Sequence, residues 1–177
     1  MREKTPKELA KLILPRLQLK WFKNTEYANI SEKDLENPDS KTEYFLKTVE
    51  TIQTRLETLE DAPNMLKFFL MEEPAYEEKL LLNPKMKVDK KTAKLAFEKS
   101  LELLEKLPEK NFEDHENLKE PFLKLVEELG LKNGQVLWPL RVALTGEQFS
   151  PGTFELLAAL GKERSIKRIT AYLDKTR

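Results

Sequence analysis

Glycine is absent from the first 129 residues of this 177-residue chain, and its five copies lie at positions 130, 134, 146, 152 and 161. Phosphate-binding loops and dinucleotide-binding turns depend on glycine, because it alone adopts positive φ freely and lets the backbone approach a ligand closely. The first 129 residues therefore offer no such loop. Any glycine-dependent turn is confined to the C-terminal third.

The remaining composition predicts an all-α protein. Charged residues make up 35% of the chain, well above the ~25% that is typical of globular proteins, which suits helices whose solvent faces carry Lys and Glu. Apolar residues such as Phe45, Val49 and Ile52 recur at helical spacing. No alternating run is long enough to build a sheet, and a 40% hydrophobic content provides for a substantial core.

Turn signals divide the chain into two predicted helical subdomains, 1–82 and 83–177. The first helix starts at Thr5-Pro6-Lys7-Glu8, which has the pattern of a capping box with proline in the first turn. The most regular helix is expected from Phe45 to Leu59. A later amphipathic helix is expected to stop at Pro108, with an apolar face made of Leu95, Leu101, Leu104 and Leu107. Two further helices are expected on either side of Gly161, from Ser150 to Leu160 and from Lys162 to about Asp174. Asn83-Pro84 is typical of a turn, and the basic run Lys85–Lys91 that follows is either a soluble linker or a phosphate-binding patch.

The charge of the chain is unevenly distributed although the net charge is zero. Residues 131–177 carry eight Lys and Arg against four Asp and Glu, so the glycine-bearing end is the basic end.

The chain has no cysteine, which excludes disulfides and thiolate metal sites and fits the reducing cytoplasm. No stretch approaches the ~18 apolar residues of a membrane span. We expect a soluble cytoplasmic protein that binds no metal.

Few residues are suited to catalysis. The single histidine, His115, lies in an acidic segment, and we interpret it as a surface residue at the start of a helix. Trp21-Phe22 and Phe68-Phe69 are either platforms for nucleotide bases or core residues, and their helical spacing among Leu and Met favours the core. We predict no catalytic residue.

The most informative segment runs from Gly134 to Glu155. Pro139 interrupts a helical pattern, so it is predicted to break the helix or to begin a new one there, leaving Arg141 in the first turn. Ser150-Pro151-Gly152 is predicted to supply a capping hydroxyl and free amides at the next helix start. The spacing alone is compatible with a small polar binding pocket or with a packing corner between two helices.

Residues 131–169 closely resemble the C-terminal signature of bacterial-type glutamyl-tRNA synthetases, the glutamate–tRNA ligases. The matching positions are Pro139-Leu140-Arg141, Thr145-Gly146, Ser150-Pro151-Gly152 and Gly161-Lys162-Glu163-Arg164. The helix from Thr48 to Leu59 and the following Phe68-Phe69 resemble the family more loosely. The resemblance therefore covers nearly the whole chain, and its specificity is concentrated in the C-terminal part.

The resemblance implies two all-helical subdomains, of which the C-terminal one is an α-helical cage that receives the anticodon loop. Carried over position by position, the family's anticodon-binding residues are Arg141, Ser150, Pro151 and Thr153, the last at a position where many members have leucine. Arg55 is a candidate for a second anticodon-reading arginine in the first subdomain. Unstacked loop bases are the usual targets of sequence-specific RNA recognition, because their edges are open to hydrogen bonding.

Synthetases of this class carry HIGH-like and KMSKS-like motifs on a separate catalytic domain, and this sequence contains neither. We therefore expect a chain that is no enzyme by itself but belongs to a ligase whose catalytic domain uses ATP and Mg²⁺. Its expected partners are the anticodon loop of tRNA(Glu) and that catalytic domain, and it is expected to be a monomer. A helical protein-interaction module and a stand-alone RNA-binding relative are the alternatives.

The purified chain is predicted not to exchange pyrophosphate with ATP in the presence of glutamate. The reason is that the sequence holds no glycine-rich phosphate loop and neither motif of the class. Radioactive pyrophosphate exchange measures this directly, with a complete glutamate–tRNA ligase as the positive control. Exchange by the chain alone would contradict the prediction.

Overall fold

The computed structural model describes residues 3–75 and 77–175, and this part of the chain is all-α, as predicted. Its one β pairing is an isolated antiparallel bridge between Asn83 and Val88. The α-helices are α1 (Pro6–Ile13), α2 (Lys20–Lys23), α3 (Glu32–Glu36), α4 (Ser40–Gln53), α5 (Ala62–Leu70), α6 (Glu78–Leu81), α7 (Lys90–Lys106), α8 (Glu116–Glu128), α9 (Asn133–Thr145) and α10 (Thr153–Lys175). None of these helices is long and apolar enough to cross a membrane.

Side-chain caps begin several of the helices. The predicted capping box at α1 is confirmed, since the Thr5 amide donates to the Glu8 carboxylate at 2.8 Å and the Thr5 hydroxyl accepts from the Glu8 amide at 3.3 Å. The hydrogen bond from the Thr5 amide, with a second from its hydroxyl, holds the pKa of Glu8 below its usual value. Asp39 and Asp89 accept amide hydrogen bonds in the same way at α4 and α7. These caps satisfy backbone donors that the first helical turn leaves without partners.

The chain forms two compact units, one ending at Glu73 and one beginning at Pro74. The core of the first unit is built where α4 packs against α1 and α5. Its fully buried side chains include Leu9, Ile13, Leu17, Leu35, Phe45, Ile52 and Leu66. The Tyr44 hydroxyl donates to the carbonyl of Phe69 at 2.9 Å, which joins α4 to the end of α5.

The aromatic pairs of the first unit serve mainly its core. Phe68 and Phe69 are both buried, with ring centroids 4.7 Å apart, and Phe22 is also buried. Trp21 is half-buried and meets Phe22 edge to face. The interpretation of these residues as core is confirmed for Phe22, Phe68 and Phe69.

The helix predicted from Phe45 to Leu59 is too long. α4 ends at Gln53, and Arg55 lies exposed in the following turn, where its amide donates to the Ile52 carbonyl at 3.0 Å. In the sequence, apolar residues continue at helical spacing beyond Gln53. The reason is that Leu56, although it lies outside the helix, is buried. A new cap, in which the Thr58 amide donates to the carboxylate of Asp61 at 2.8 Å, starts the next helical turn.

In the second unit α7, α9 and α10 pack against one another. The helix predicted to end before Pro108 is confirmed as α7, and Leu104 of its predicted leucine face is fully buried, but other residues make up the rest of the inward face. Leu95 is 37% exposed, whereas the small residues Ala93, Ala96 and Ser100 are buried. Small side chains let helix backbones approach closely, so the packing of three helices selects them over the larger leucine.

The division between the units lies at Glu73 and Pro74 rather than between residues 82 and 83. The reason is that α6 packs against α9: the indole N–H of Trp138 donates to the Leu80 carbonyl at 2.9 Å, and Leu81 is buried. The predicted boundary followed the Asn83-Pro84 turn, which is a tight turn inside the second unit.

Gly161 separates two helical segments of α10, which agrees with the predicted break between Leu160 and Lys162. Its φ of 77° and ψ of 173° are not helical and are nearly inaccessible to other residues. The Lys162 ammonium then donates to the carbonyls of Glu105 and Leu107, at 2.9 and 2.8 Å. These carbonyls lie at the C-terminus of α7, where a cation is favoured by the helix dipole.

Gly146 ends α9 in the left-handed conformation, with φ of 69°. A Cβ atom at this position would lie 2.4 Å from the carbonyl oxygen of Ala75. Gly130, which follows α8, also has positive φ (62°), but a Cβ atom there would meet nothing within 4 Å beyond the adjacent residues. The two glycines therefore share a backbone conformation and differ in their surroundings.

Gly146→Ala is predicted to lower the free energy of unfolding more than Gly130→Ala. Both changes place a side chain in the left-handed region, at a cost of about 1–2 kcal/mol. Only Gly146→Ala also forces the Ala75 backbone aside, which adds roughly 1–3 kcal/mol. Urea unfolding of the two variants measures the difference, and equal losses would show that the contact with Ala75 is unimportant.

Candidate functional site

α9 is continuous through Pro139, and the prediction that Pro139 begins a helix is wrong. Pro139 is buried inside α9, so Arg141 lies well within the helix instead of in its first turn. The turns before the proline are held by contacts outside the helix: the Gln135 side-chain amide donates to the Lys87 carbonyl at 3.2 Å, and Trp138 donates to Leu80. Such contacts compensate for the backbone hydrogen bond that proline removes.

The C-terminal end of α9 is fixed by side-chain hydrogen bonds. The Thr145 hydroxyl donates to the carbonyl of Arg141 at 2.8 Å and accepts from the amide of Glu147 at 3.1 Å. Arg168, only 3% exposed, donates from Nη1 to the Leu144 carbonyl at 2.6 Å. The guanidinium supplies positive charge where the helix dipole is negative. Together with the turn at Gly146, these bonds set the direction in which the chain leaves α9.

The start of α10 is tied back to α9. The Thr153 hydroxyl donates to the Leu137 carbonyl at 3.0 Å. Leu137 precedes Arg141 by four residues, so both lie on one face of α9. The hydrogen bond therefore holds the first turn of α10 against the face of α9 that carries Arg141.

One amide at this helix start, that of Gly152, and the Ser150 hydroxyl are engaged within the protein. The Gly152 amide donates to the Glu155 carboxylate at 2.9 Å, and the Ser150 hydroxyl donates to the Pro151 carbonyl at 3.2 Å. The expectation of a Ser150 hydroxyl cap is therefore wrong for this conformation. Glu155 takes the place of the cap because a carboxylate accepts strongly from an amide at a helix N-terminus.

The four predicted site residues lie in one corner, which consists of the second half of α9, the 146–152 loop and the first turn of α10. Arg141 and Ser150 are half-buried, whereas Pro151 and Thr153 are buried. Arg141 and Ser150 are thus the partly exposed polar residues of this set, whereas the Thr153 side chain holds α10 against α9. We call this region the α9–α10 corner.

Part of the basic charge of the C-terminal end serves the fold. Lys162 and Arg168 bind carbonyls at the C-termini of α7 and α9. Arg164, in the same matching motif as Lys162, is exposed. The local excess of positive charge is therefore smaller at the surface than the sequence count indicates.

The histidine singled out from the sequence is partly exposed. His115 precedes α8, its side chain is 42% exposed, and its Nε2 lies 3.0 Å from a carboxylate oxygen of Glu116. This confirms the interpretation of a surface histidine at a helix start. Within residues 3–75 and 77–175, no three His, Asp or Glu side chains are grouped so that they could hold a metal ion.

Two residues were missed from sequence: Phe149 in the corner, and Arg168, which bonds to the Leu144 carbonyl at the end of α9. Arg168 shares helical spacing with the buried Ser165, Ile169 and Tyr172, and that spacing places it on the buried face. Phe149 is 86% exposed, and its polar neighbours in a loop bounded by glycines were the available signal. Neither residue belongs to the motif positions on which the resemblance depends.

Comparison with known proteins shows the family to which the chain belongs. A family model described as "Anticodon binding domain" matches residues 8–173. The chain is 42% identical over 132 residues to the glutamate–tRNA ligase of Clostridium botulinum (strain Okra / Type B1), a match that covers 73% of this chain and 26% of that ligase. It is 37% identical over 138 residues to the glutamate–tRNA ligase of Clostridium novyi (strain NT), covering 77% and 28%.

Solved structures of glutamate–tRNA ligases have a similar fold. One, from Elizabethkingia meningosepticum CCUG26117 in complex with its amino acid, superposes with a TM-score of 0.65 at 25% identity and covers 98% of this chain and 31% of that one. Another, from Elizabethkingia anophelis, gives a TM-score of 0.61 at 26% identity, covering 97% and 29%. The chain spans between a quarter and a third of the length of the relatives it matches.

Thr153→Val is predicted to lower the free energy of unfolding by about 1 kcal/mol, the usual contribution of one such hydrogen bond. It removes the bond to Leu137 while keeping the side-chain volume. Amide hydrogen exchange at residues 153–156 should become faster because the first turn of α10 loses its tie. Thr170→Val, the same change at an exposed position of α10, is the control. Equal effects of the two changes would contradict the role of Thr153.

Proposed function

Because the chain belongs to the anticodon-binding domain family, we propose that it binds the anticodon loop of a tRNA through the α9–α10 corner. The observation that carries the proposal is the tie between Thr153 and Leu137, which holds the start of α10 beside the face of α9 that carries Arg141. Helix backbone fixed on both sides of a short loop is a rigid support. An unstacked base binds to such a support at little entropic cost.

The side chains of the corner suit the edge of a base. Arg141 presents a planar fork of donors, which matches a pair of acceptors on a base edge. The Ser150 hydroxyl can turn from the Pro151 carbonyl to a ligand, since a hydroxyl rotates to suit its partner. Pro151 contributes buried apolar surface next to it, and Thr153 positions the helix. Arg55, exposed in the first unit, is proposed to read a second anticodon base.

The similarity to glutamate–tRNA ligases supports a more specific assignment. We propose that the chain corresponds to the C-terminal part of such a ligase and that its RNA partner is tRNA(Glu). The ATP and Mg²⁺ that the ligase uses would be bound by its catalytic domain. In this assignment the second unit is the cage for the anticodon loop. The first unit carries Arg55 and connects the cage to the catalytic domain, and the ligase acts as a cytoplasmic monomer.

Arg141→Ala is predicted to weaken binding of the tRNA(Glu) anticodon stem-loop by about 1–3 kcal/mol and to reduce discrimination against a swapped anticodon. Arg141→Lys should recover affinity only in part, because an ammonium lacks the planar fork. Fluorescence anisotropy with cognate and swapped stem-loops, at two salt concentrations, measures both effects.

Arg164→Ala is the matched control, since Arg164 is an exposed arginine on α10. It should change affinity equally for cognate and swapped stem-loops. If Arg141→Ala also acts equally on both and lowers the salt slope by about one, Arg141 contacts phosphate rather than a base. If the unchanged chain binds neither stem-loop, the proposal fails, and a helical protein-interaction module becomes the better account.

A further inference from the structure

Phe149 stands out among the exposed apolar side chains. It is 86% exposed, whereas Leu123, the next most exposed large hydrophobic residue in the described part of the chain, is 45% exposed. A single exposed apolar residue is common on protein surfaces and by itself indicates nothing. The surroundings of Phe149 make it informative.

The loop that carries Phe149 is fixed at both ends. Thr145 holds the Glu147 amide on one side. On the other side Gly152 bonds to Glu155, and Thr153 bonds to α9. Only a few residues separate these anchors, so the ring is presented from a short, held loop. A side chain presented in this way loses little conformational freedom when a ligand covers it.

Phe149 is the chain neighbour of Ser150, one of the two proposed base-reading residues. Its Cα is about 3.8 Å from that of Ser150, as for any adjacent residues. Ser150 and Arg141 suit the edge of a base, whereas a phenyl ring suits its face. The two kinds of contact are complementary, and one protein region often provides both for an unstacked base.

The charge of the loop favours contact with a base over contact with a phosphate. Residues 146–152 contain one acidic side chain, Glu147, and no Lys or Arg. Such a loop repels phosphate, which RNA-binding proteins neutralise with cations. Aromatic stacking needs no cation and tolerates any base.

We propose that Phe149 stacks on the face of an unpaired base in the tRNA anticodon loop, beside the base edge read by Arg141 and Ser150. This assignment rests on the proposed function and adds a binding residue to that site. It assigns the ring a role in binding and none in the stability of the free chain.

The test uses the 177-residue chain and the tRNA(Glu) anticodon stem-loop. Phe149→Ala should weaken binding roughly 5- to 150-fold, the range that corresponds to one stacked base. Phe149→Leu keeps apolar area without a ring and should weaken binding nearly as much, whereas Phe149→Trp should keep or raise the affinity.

Leu123→Ala, on α8, is the control and should leave binding unchanged. All four variants should keep the melting temperature of the unchanged chain within a few degrees, since both positions are at the surface.

Stacking also has a spectroscopic signature. With 2-aminopurine placed at each anticodon position in turn, the unchanged chain should quench the fluorescence at one position, and Phe149→Leu should abolish that quenching. The slope of affinity against salt should be the same for Phe149→Ala and the unchanged chain, because no phosphate contact is lost.

The outcomes separate this inference from the proposed function. If the unchanged chain binds the stem-loop and Phe149→Ala binds equally well, the stacking role is wrong and the proposed function stands. If Phe149→Leu binds as well as the unchanged chain, the contact is apolar without stacking, which also contradicts the inference. If the unchanged chain does not bind the stem-loop, both proposals are overturned.

Discussion

The close approach of Gly146 to the backbone of Ala75 is the constraint on which the α9–α10 corner depends. It requires glycine for space and for its positive φ, and it fixes where α9 stops. Arg168 and Thr145 then bond to carbonyls in the last turns of α9, and Thr153 ties α10 to the same helix. The placement of Arg141 and of the loop beside it follows from these contacts.

Several motif residues are explained by this framework without any ligand. Lys162 binds the carbonyls at the end of α7, and Gly161 supplies a backbone conformation that separates two helical segments. Thr145 and Gly146 end α9. A match to a family signature therefore includes residues that build the corner, and the hydrogen bonds of their side chains identify them. Arg141, Ser150 and Phe149 are the residues that we propose to contact RNA.

The sequence was most informative where local rules decide the structure. The capping box at Thr5, the break at Gly161 and the helical class all follow from residue type and spacing. The rules failed where tertiary contacts outweigh them: Pro139 stays inside α9 because Trp138 and Gln135 hold the preceding turns. The inward face of α7 was likewise decided by close packing of helices. The roles of Ser150 and Glu155 at the start of α10 could not be foreseen, since several side chains there compete for the same amides.

The central claim is that the α9–α10 corner is the surface that meets the anticodon loop. Its most direct test is an NMR titration of the isotope-labelled chain with the tRNA(Glu) anticodon stem-loop, which maps the contact without any substitution. The account predicts that the largest amide shifts occur between Arg141 and Thr153, with a minor response in α8. Shifts concentrated on α8 or in the first unit, or no shifts at saturating RNA, would contradict it.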